Sequence, residues 1–164
     1  MPGPVDRLDA EIVALFAREP RVGILEASRR LGVARGTVQA RLDRLTRSGV
    51  VRGWGPEIDA EALGFGVTAF ATLELQQGVG HSVVAQHLRT IPEVLEAHTI
   101  TGSADMMVRL VARSNADLQR VLDEVLAGGG VVRTSTVIAL ATQVPARALP
   151  LLGKAADGSA SPDS

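Results

Sequence analysis

The 164-residue chain contains no cysteine, so disulfides, thiolate metal sites and cysteine nucleophiles are excluded. Aromatic residues make up only 2% of it, with no tyrosine and a single tryptophan, Trp54. Its cores must therefore be built from valine, leucine, isoleucine and alanine, which the 46% hydrophobic content supplies. No run of 18 apolar residues occurs, and the opening segment Met1–Val13 has no apolar stretch of signal-peptide type. These absences lead us to expect a soluble, cytoplasmic protein without a membrane segment.

Net charge is also nearly absent, at −1, but it is unevenly spread. Residues 1–54 carry ten arginines against six acids, a net of +4, whereas residues 55–164 carry seven bases against twelve acids, a net of −5. A basic half attached to an acidic half implies two partners. A solvated charged face and a polyanion-binding surface are both compatible with the basic half, the latter through phosphate neutralisation and counterion release.

Periodicity divides the chain in the same place. Asp6 is a good N-cap, after which Leu8, Ile12, Leu15 and Phe16 recur at helical spacing up to Glu19-Pro20. A short helix follows over about Ile24–Leu31, then a Gly32-Val33 connection and a third helix over about Arg35–Arg47 that buries Val38, Leu42 and Leu45. Three short helices, the last two joined by a glycine turn, predict a helix-turn-helix. The glycine-punctuated segment 50–58 reads as a short strand or wing entering a hinge, with one helical turn at 59–63.

Beyond Gly64 the pattern is β-α-β-β-α-β. Strands are expected at about 67–75, Val94–Thr101, Met106–Arg113 and Val131–Val144, with helices around Val84, Leu88 and Ile91 and from an N-cap at Asn115 through Leu126. This order predicts a ferredoxin-like fold, one antiparallel sheet with two helices on one face. Both faces of the final strand are largely apolar, which predicts that a second sheet, from a homodimer partner, covers the open side; packing by the N-terminal unit or the tail is the alternative. The expected division is 1–54 as helix-turn-helix, 55–65 as hinge, 66–146 as ferredoxin-like domain and 147–164 as flexible tail, giving an α+β protein overall.

The residues that carry these features resemble the Lrp/AsnC, or feast/famine, family of regulators. The shared pieces are Leu8-Asp9-x-x-Ile12-x-x-Leu15, the run Glu26 to Val33, Val38-x-x-Arg41-Leu42-x-x-Leu45, Gly49-Val50-Val51, Ile58-Asp59-x-x-x-Leu63-Gly64, Gly102-x-x-Asp105 and Thr134-x-Thr136. The resemblance implies a winged helix-turn-helix, a ferredoxin-like ligand-sensing domain, dimerisation through that domain and assembly of dimers up to octamers. Two departures stand out. Ala34 replaces a usual serine, so the third helix loses a side-chain cap worth about 0.5–2 kcal/mol. Ser103 and Ala104 replace acidic and aromatic residues of the effector turn.

On this basis the expected contacts to double-stranded DNA are Arg35, Gly36, Thr37, Gln39, Arg41, Arg44 and Arg52. Arginine pairs with guanine edges or phosphate, glutamine with adenine, and threonine with phosphate or a thymine methyl, while Gly36 permits close backbone approach. Arg44 and Arg47 lie farther along and suit phosphate. The competing reading is an exposed basic helix with an Asp43–Arg47 ion pair, and Arg41 as a brace. For a small-molecule effector, an amino acid by the resemblance, the expected residues are His98, Thr101, Gly102, Asp105, Arg109, Thr134 and Thr136; an Asx-type turn and ordinary β-propensity account for Asp105 and the threonines equally well.

His81, His87 and His98 lack metal-ligand spacing, and Gly128-Gly129-Gly130 lacks the setting of a phosphate cradle and reads as a helix stop and flexible link. No nucleophile–base pair is present, so neither an enzyme nor a cofactor is expected. The function expected is sequence-specific transcriptional regulation modulated by an amino acid or similar small molecule; the alternative is a ligand-independent architectural DNA-binding protein.

Overall fold

In the computed structural model, which describes residues 5–158, helix α1 (Arg7–Arg18) opens on a capping box. The Asp6 carboxylate accepts from the Asp9 N–H at 2.9 Å, and the Asp9 carboxylate accepts from the Asp6 N–H at 3.0 Å. Helix α2 (Ile24–Leu31) ends at Gly32, whose φ of 66° is the left-handed cap that the sequence suggested. Helix α3 (Arg35–Arg47) follows directly, and Ile12, Leu15, Phe16, Ala27, Val38 and Leu42 form the core between the three.

The segment after α3 is irregular through residue 58, without the short strand that its sequence suggests. A ladder needs a partner, and Gly53, Gly55 and Pro56 interrupt any run long enough to find one. Its anchor is a hydrogen bond from Val51 N–H to Leu45 C=O at 3.1 Å, and Trp54 sets its ring edge-on to Phe16 at 5.6 Å.

The residues divide into two compact units, 5–56 with 145–158, and Glu57–Val144. The C-terminal part of the first unit corrects an expectation. Leu149–Gly158, read as flexible tail, is helix α6, and it packs on α1 with Ala156 buried. Its few apolar residues mark no helix by themselves; the apolar flank of α1 provides the surface that stabilises it. The remainder of that tail, 159–164, lies outside the described residues.

The second unit contains β1 (Val67–Leu75), α4 (His81–Leu88), β2 (Val94–Thr99), β3 (Met106–Ala112), α5 (Asn115–Ala127) and β4 (Val131–Ala139). The strands form one antiparallel sheet in the order β2-β3-β1-β4, the ferredoxin-like arrangement. Ala69, Ala71 and Leu73 of β1 and Met106, Val108 and Leu110 of β3 point to the helix side, where Val84, Leu88, Leu118, Val121 and Val125 pack on them. Strand β4 stops at Ala139 rather than Val144 because its partner β1 begins at Val67, and β2 stops at Thr99 where the turn closes. The cap of α5 is Ser114, not Asn115: its Oγ accepts from Asp117 N–H at 3.1 Å.

The glycine run after α5 is a packed crossing. Gly128 lies under the His87 ring, where a Cβ would sit 2.0 Å from the nearest ring carbon, while Gly129 and Gly130 take φ of 72° and 83°.

Candidate functional site

Helix α3 lays Val38, Leu42 and Leu45 into the core and leaves Arg35, Gly36, Gln39, Ala40, Asp43 and Arg47 exposed. Its first turn has no side-chain cap, as Ala34 implies. Of the expected DNA contacts, Arg35, Gly36 and Gln39 are therefore on the outer face, and Thr37 is half-buried beside them. Arg52 is exposed in the segment that Val51 ties to the end of α3. The side-chain ion pair expected between Asp43 and Arg47 is replaced by other bonds. Arg47 Nε donates to the Asp43 carbonyl at 3.3 Å, and the Asp43 carboxylate accepts from Gln39 Nε2 at 2.9 Å.

Arg41 and Arg44 lie on the flank of α3 that meets α1. Arg41 Nη1 donates to Asp6 Oδ2 at 2.5 Å and to Asp9 Oδ1 at 2.9 Å, and Arg44 Nη2 donates to Asp9 Oδ2. Asp9 is fully buried, so its charge is stable there only because two guanidinium groups and the Asp6 N–H surround it. The Arg41 hydrogen bond holds the Asp6 carboxyl below the ordinary aspartate range, and bonds to Asp6 and Asp9 push Arg41 higher still. Arg41 thus carries the bracing role, and Arg44 shares it. Asp9 is the residue that inspection of the sequence undervalued. The available signal was a lone acid in the apolar stripe of α1, three residues after a capping aspartate.

The residues expected to hold an effector do not converge on one place. Register places Thr134 opposite Leu73 and Thr136 opposite Ala71, so both threonines share the helix side of the sheet. His98 pairs with Met107, and Arg109 pairs with Phe70 and Glu96, on the side away from the helices. There Arg109 Nη1 donates to Glu96 Oε1 at 3.2 Å, and His98 Nε2 lies 3.4 Å from Glu96 Oε2.

Thr101, Gly102 and Asp105 belong to the β2–β3 turn, in which Gly102 adopts φ 119°. Asp105 pins this turn to β1: its N–H donates to Leu73 C=O at 2.9 Å, and its Oδ2 accepts from Leu75 N–H at 2.7 Å. The Thr134 hydroxyl oxygen is sealed from solvent and has no hydrogen-bond partner among the described residues. Among the described residues no cluster of histidine and carboxylate side chains is arranged to hold a metal, and no helix is long and apolar enough to cross a membrane.

Comparison with known proteins gives two family matches. Residues 5–52 match the winged helix-turn-helix DNA-binding family, and residues 68–149 match the Lrp/AsnC ligand binding domain. An HTH-type transcriptional regulator of Pyrococcus horikoshii is 32% identical over 90% of this chain and 97% of its own length. The structure of AsnC from E. coli shares the fold, with a TM-score of 0.82 at 23% identity over 89% of this chain and 99% of that one. A transcriptional regulator from Neisseria meningitidis, solved as an L-Met complex, also shares it, with a TM-score of 0.79 at 24% identity over 89% and 96%.

Proposed function

The chain belongs to the Lrp/AsnC family of DNA-binding transcriptional regulators, whose members are not enzymes, and on that premise we propose that α3 reads operator DNA in the major groove while the second unit holds an amino-acid effector. The observation that carries the DNA half is the two-sided use of α3. Arg41 and Arg44 brace its inner flank against Asp6 and Asp9, and this leaves Arg35, Gly36 and Gln39 presented outward on a helix of fixed orientation. Thr37 and Arg52 flank that surface and supply backbone contacts. Titration of promoter fragments at several salt concentrations tests this. Sequence-selective binding should weaken about tenfold or more in Arg35→Ala, and an unchanged affinity would sink the assignment.

The open side of the sheet supports a homodimer. Phe70, Met107 and Val137 are large apolar side chains exposed there at 37%, 37% and 63%, and a second copy of the sheet would bury them. Two reading heads on one dimer suit an operator with two half-sites, and further assembly toward octamers follows the family pattern. Light scattering should give a dimer or a multiple of it, with Phe70→Glu shifting the mass toward monomer. A DNA-binding role, with no membrane-spanning helix among the described residues, supports a cytoplasmic location.

The effector is proposed as an amino acid or a similar small molecule, supported by the match to a ligand-binding domain and by the L-Met complex of the Neisseria regulator. One observation favours the alternative of a ligand-independent architectural protein: the Asp105 carboxylate is already committed to the Leu75 N–H. Thermal-shift measurements with all twenty amino acids separate the two, since a ligand of the native state raises the melting temperature. No response to any of them would favour the architectural reading.

A further inference from the structure

We propose that Asp43 is a specificity-determining residue of the reading helix, which together with Gln39 selects bases presenting exocyclic amines and penalises all other DNA. The inference rests on the reading that α3 enters the major groove. Asp43 is the single acid of α3, a helix with four arginines, and it is exposed on the outward face with Gln39 and Arg47 at four-residue spacing. An ordinary surface carboxylate in this position would pair with a neighbouring arginine. Here Arg44 is engaged with Asp9, and Arg47 donates to the Asp43 carbonyl rather than to its carboxylate. Its one hydrogen bond among the described residues comes from Gln39 Nε2, at 2.9 Å.

That bond has two consequences. It fixes the Gln39 amide: one N–H is used internally, leaving the second N–H and Oε1 as the donor and acceptor pair that matches adenine N7 and N6. It also leaves the second Asp43 oxygen as an acceptor with no hydrogen bond among the described residues. Such an oxygen is satisfied by the N4 amino group of cytosine and opposed by the O6 and N7 acceptors of guanine. Against phosphate it is repelled, so non-specific complexes, which rely on the backbone alone, are penalised without compensation. Asp43 is in this sense the repulsive element that discrimination between partners requires.

The test uses the full-length chain. Preferred duplexes are selected from a random pool, and affinity for the preferred duplex and for an unrelated one is measured at fixed salt for wild type, Asp43→Asn, Gln39→Ala and Arg35→Ala. Asp43 and Gln39 are exposed, and circular dichroism checks that the variants stay folded. Asp43→Asn is expected to raise affinity for the unrelated duplex about tenfold and to lower the specific-to-unrelated ratio by at least that factor. The penalty for replacing cytosine by guanine in the preferred site should fall with it. If Arg35→Ala weakens binding while Asp43→Asn leaves both ratio and base preference unchanged, the role of Asp43 is refuted and the reading helix stands. If the wild type does not discriminate between duplexes, or Arg35→Ala binds normally, the reading helix itself is refuted and Asp43 with it.

Discussion

Arg41 and Asp9, thirty-two residues apart in the chain, meet at 2.9 Å across the interface between α3 and α1. Asp9 is fully buried, whereas the Arg41 side chain is 26% exposed. Losing the carboxylate would therefore strand two cations that can partly rehydrate. Asp9→Ala should destabilise the helix-turn-helix unit by about 3 kcal/mol, the low end for breaking a buried pair. Urea unfolding followed by the fluorescence of Trp54, which packs on Phe16 in that unit, measures it. A loss below about 1 kcal/mol would mean that the ion pairs do not hold α3 in place.

Asp6 adds a pH dependence with a definite sign. Its carboxyl is held below the ordinary aspartate value, about 3.9, chiefly by the Arg41 hydrogen bond. The stabilisation is therefore complete above that value and is lost as the pH falls through the lower folded value. Asparagine caps a helix as well as aspartate does, so Asp6→Asn should keep α1 intact and flatten the acid limb of stability below about pH 4. An unaltered acid limb in stability measured against pH would count against the pairing.

A methyl group at Gly128 would displace the His87 ring, although the Gly128 backbone is ordinary right-handed helix. A Cβ there would sit 2.0 Å from the His87 ring, which is itself held by the Glu124 carbonyl at 2.8 Å. Gly128→Ala is expected to cost about 1–3 kcal/mol, as overpacking does. Much of that should be recovered in the double variant with His87→Ala, and additive losses in a double-mutant cycle would contradict the contact.

Thr134 presents the opposite case, a hydroxyl with nothing to bond. Thr134→Val removes the orphaned oxygen at constant shape, so the melting temperature should hold or rise, by up to about 1 kcal/mol of stability.

Much of this architecture is legible in the chain because it is written locally. Asp6, Gly32 and the 3.6-residue spacing of Ile12, Leu15 and Phe16 mark helix ends and faces within a turn or two, and the alternation of Ala69, Ala71 and Leu73 does the same for β1. Helix α6 was not legible, since its apolar residues acquire a partner only when α1 lies alongside. The length of β4 was hidden for a similar reason: Leu140 to Val144 are apolar enough for a strand, but β1 begins at Val67 and has no residues to set against Ala141 to Val144.

Local pattern and composition specify helices α1 to α5, the strand order expected of a ferredoxin-like sheet, and the basic and acidic halves, because caps, periodicity and charge act over a few residues or over composition. Only the tertiary structure decided which arginines are available. Arg35 and Gln39 face outward, whereas Arg41 and Arg44 are turned onto a buried aspartate far away in the chain. It also divided the expected effector residues, placing Thr134 and Thr136 on one side of the sheet and His98 and Arg109 on the other. The side of a sheet to which a residue points follows from strand register, and register is set by partners that no local pattern names.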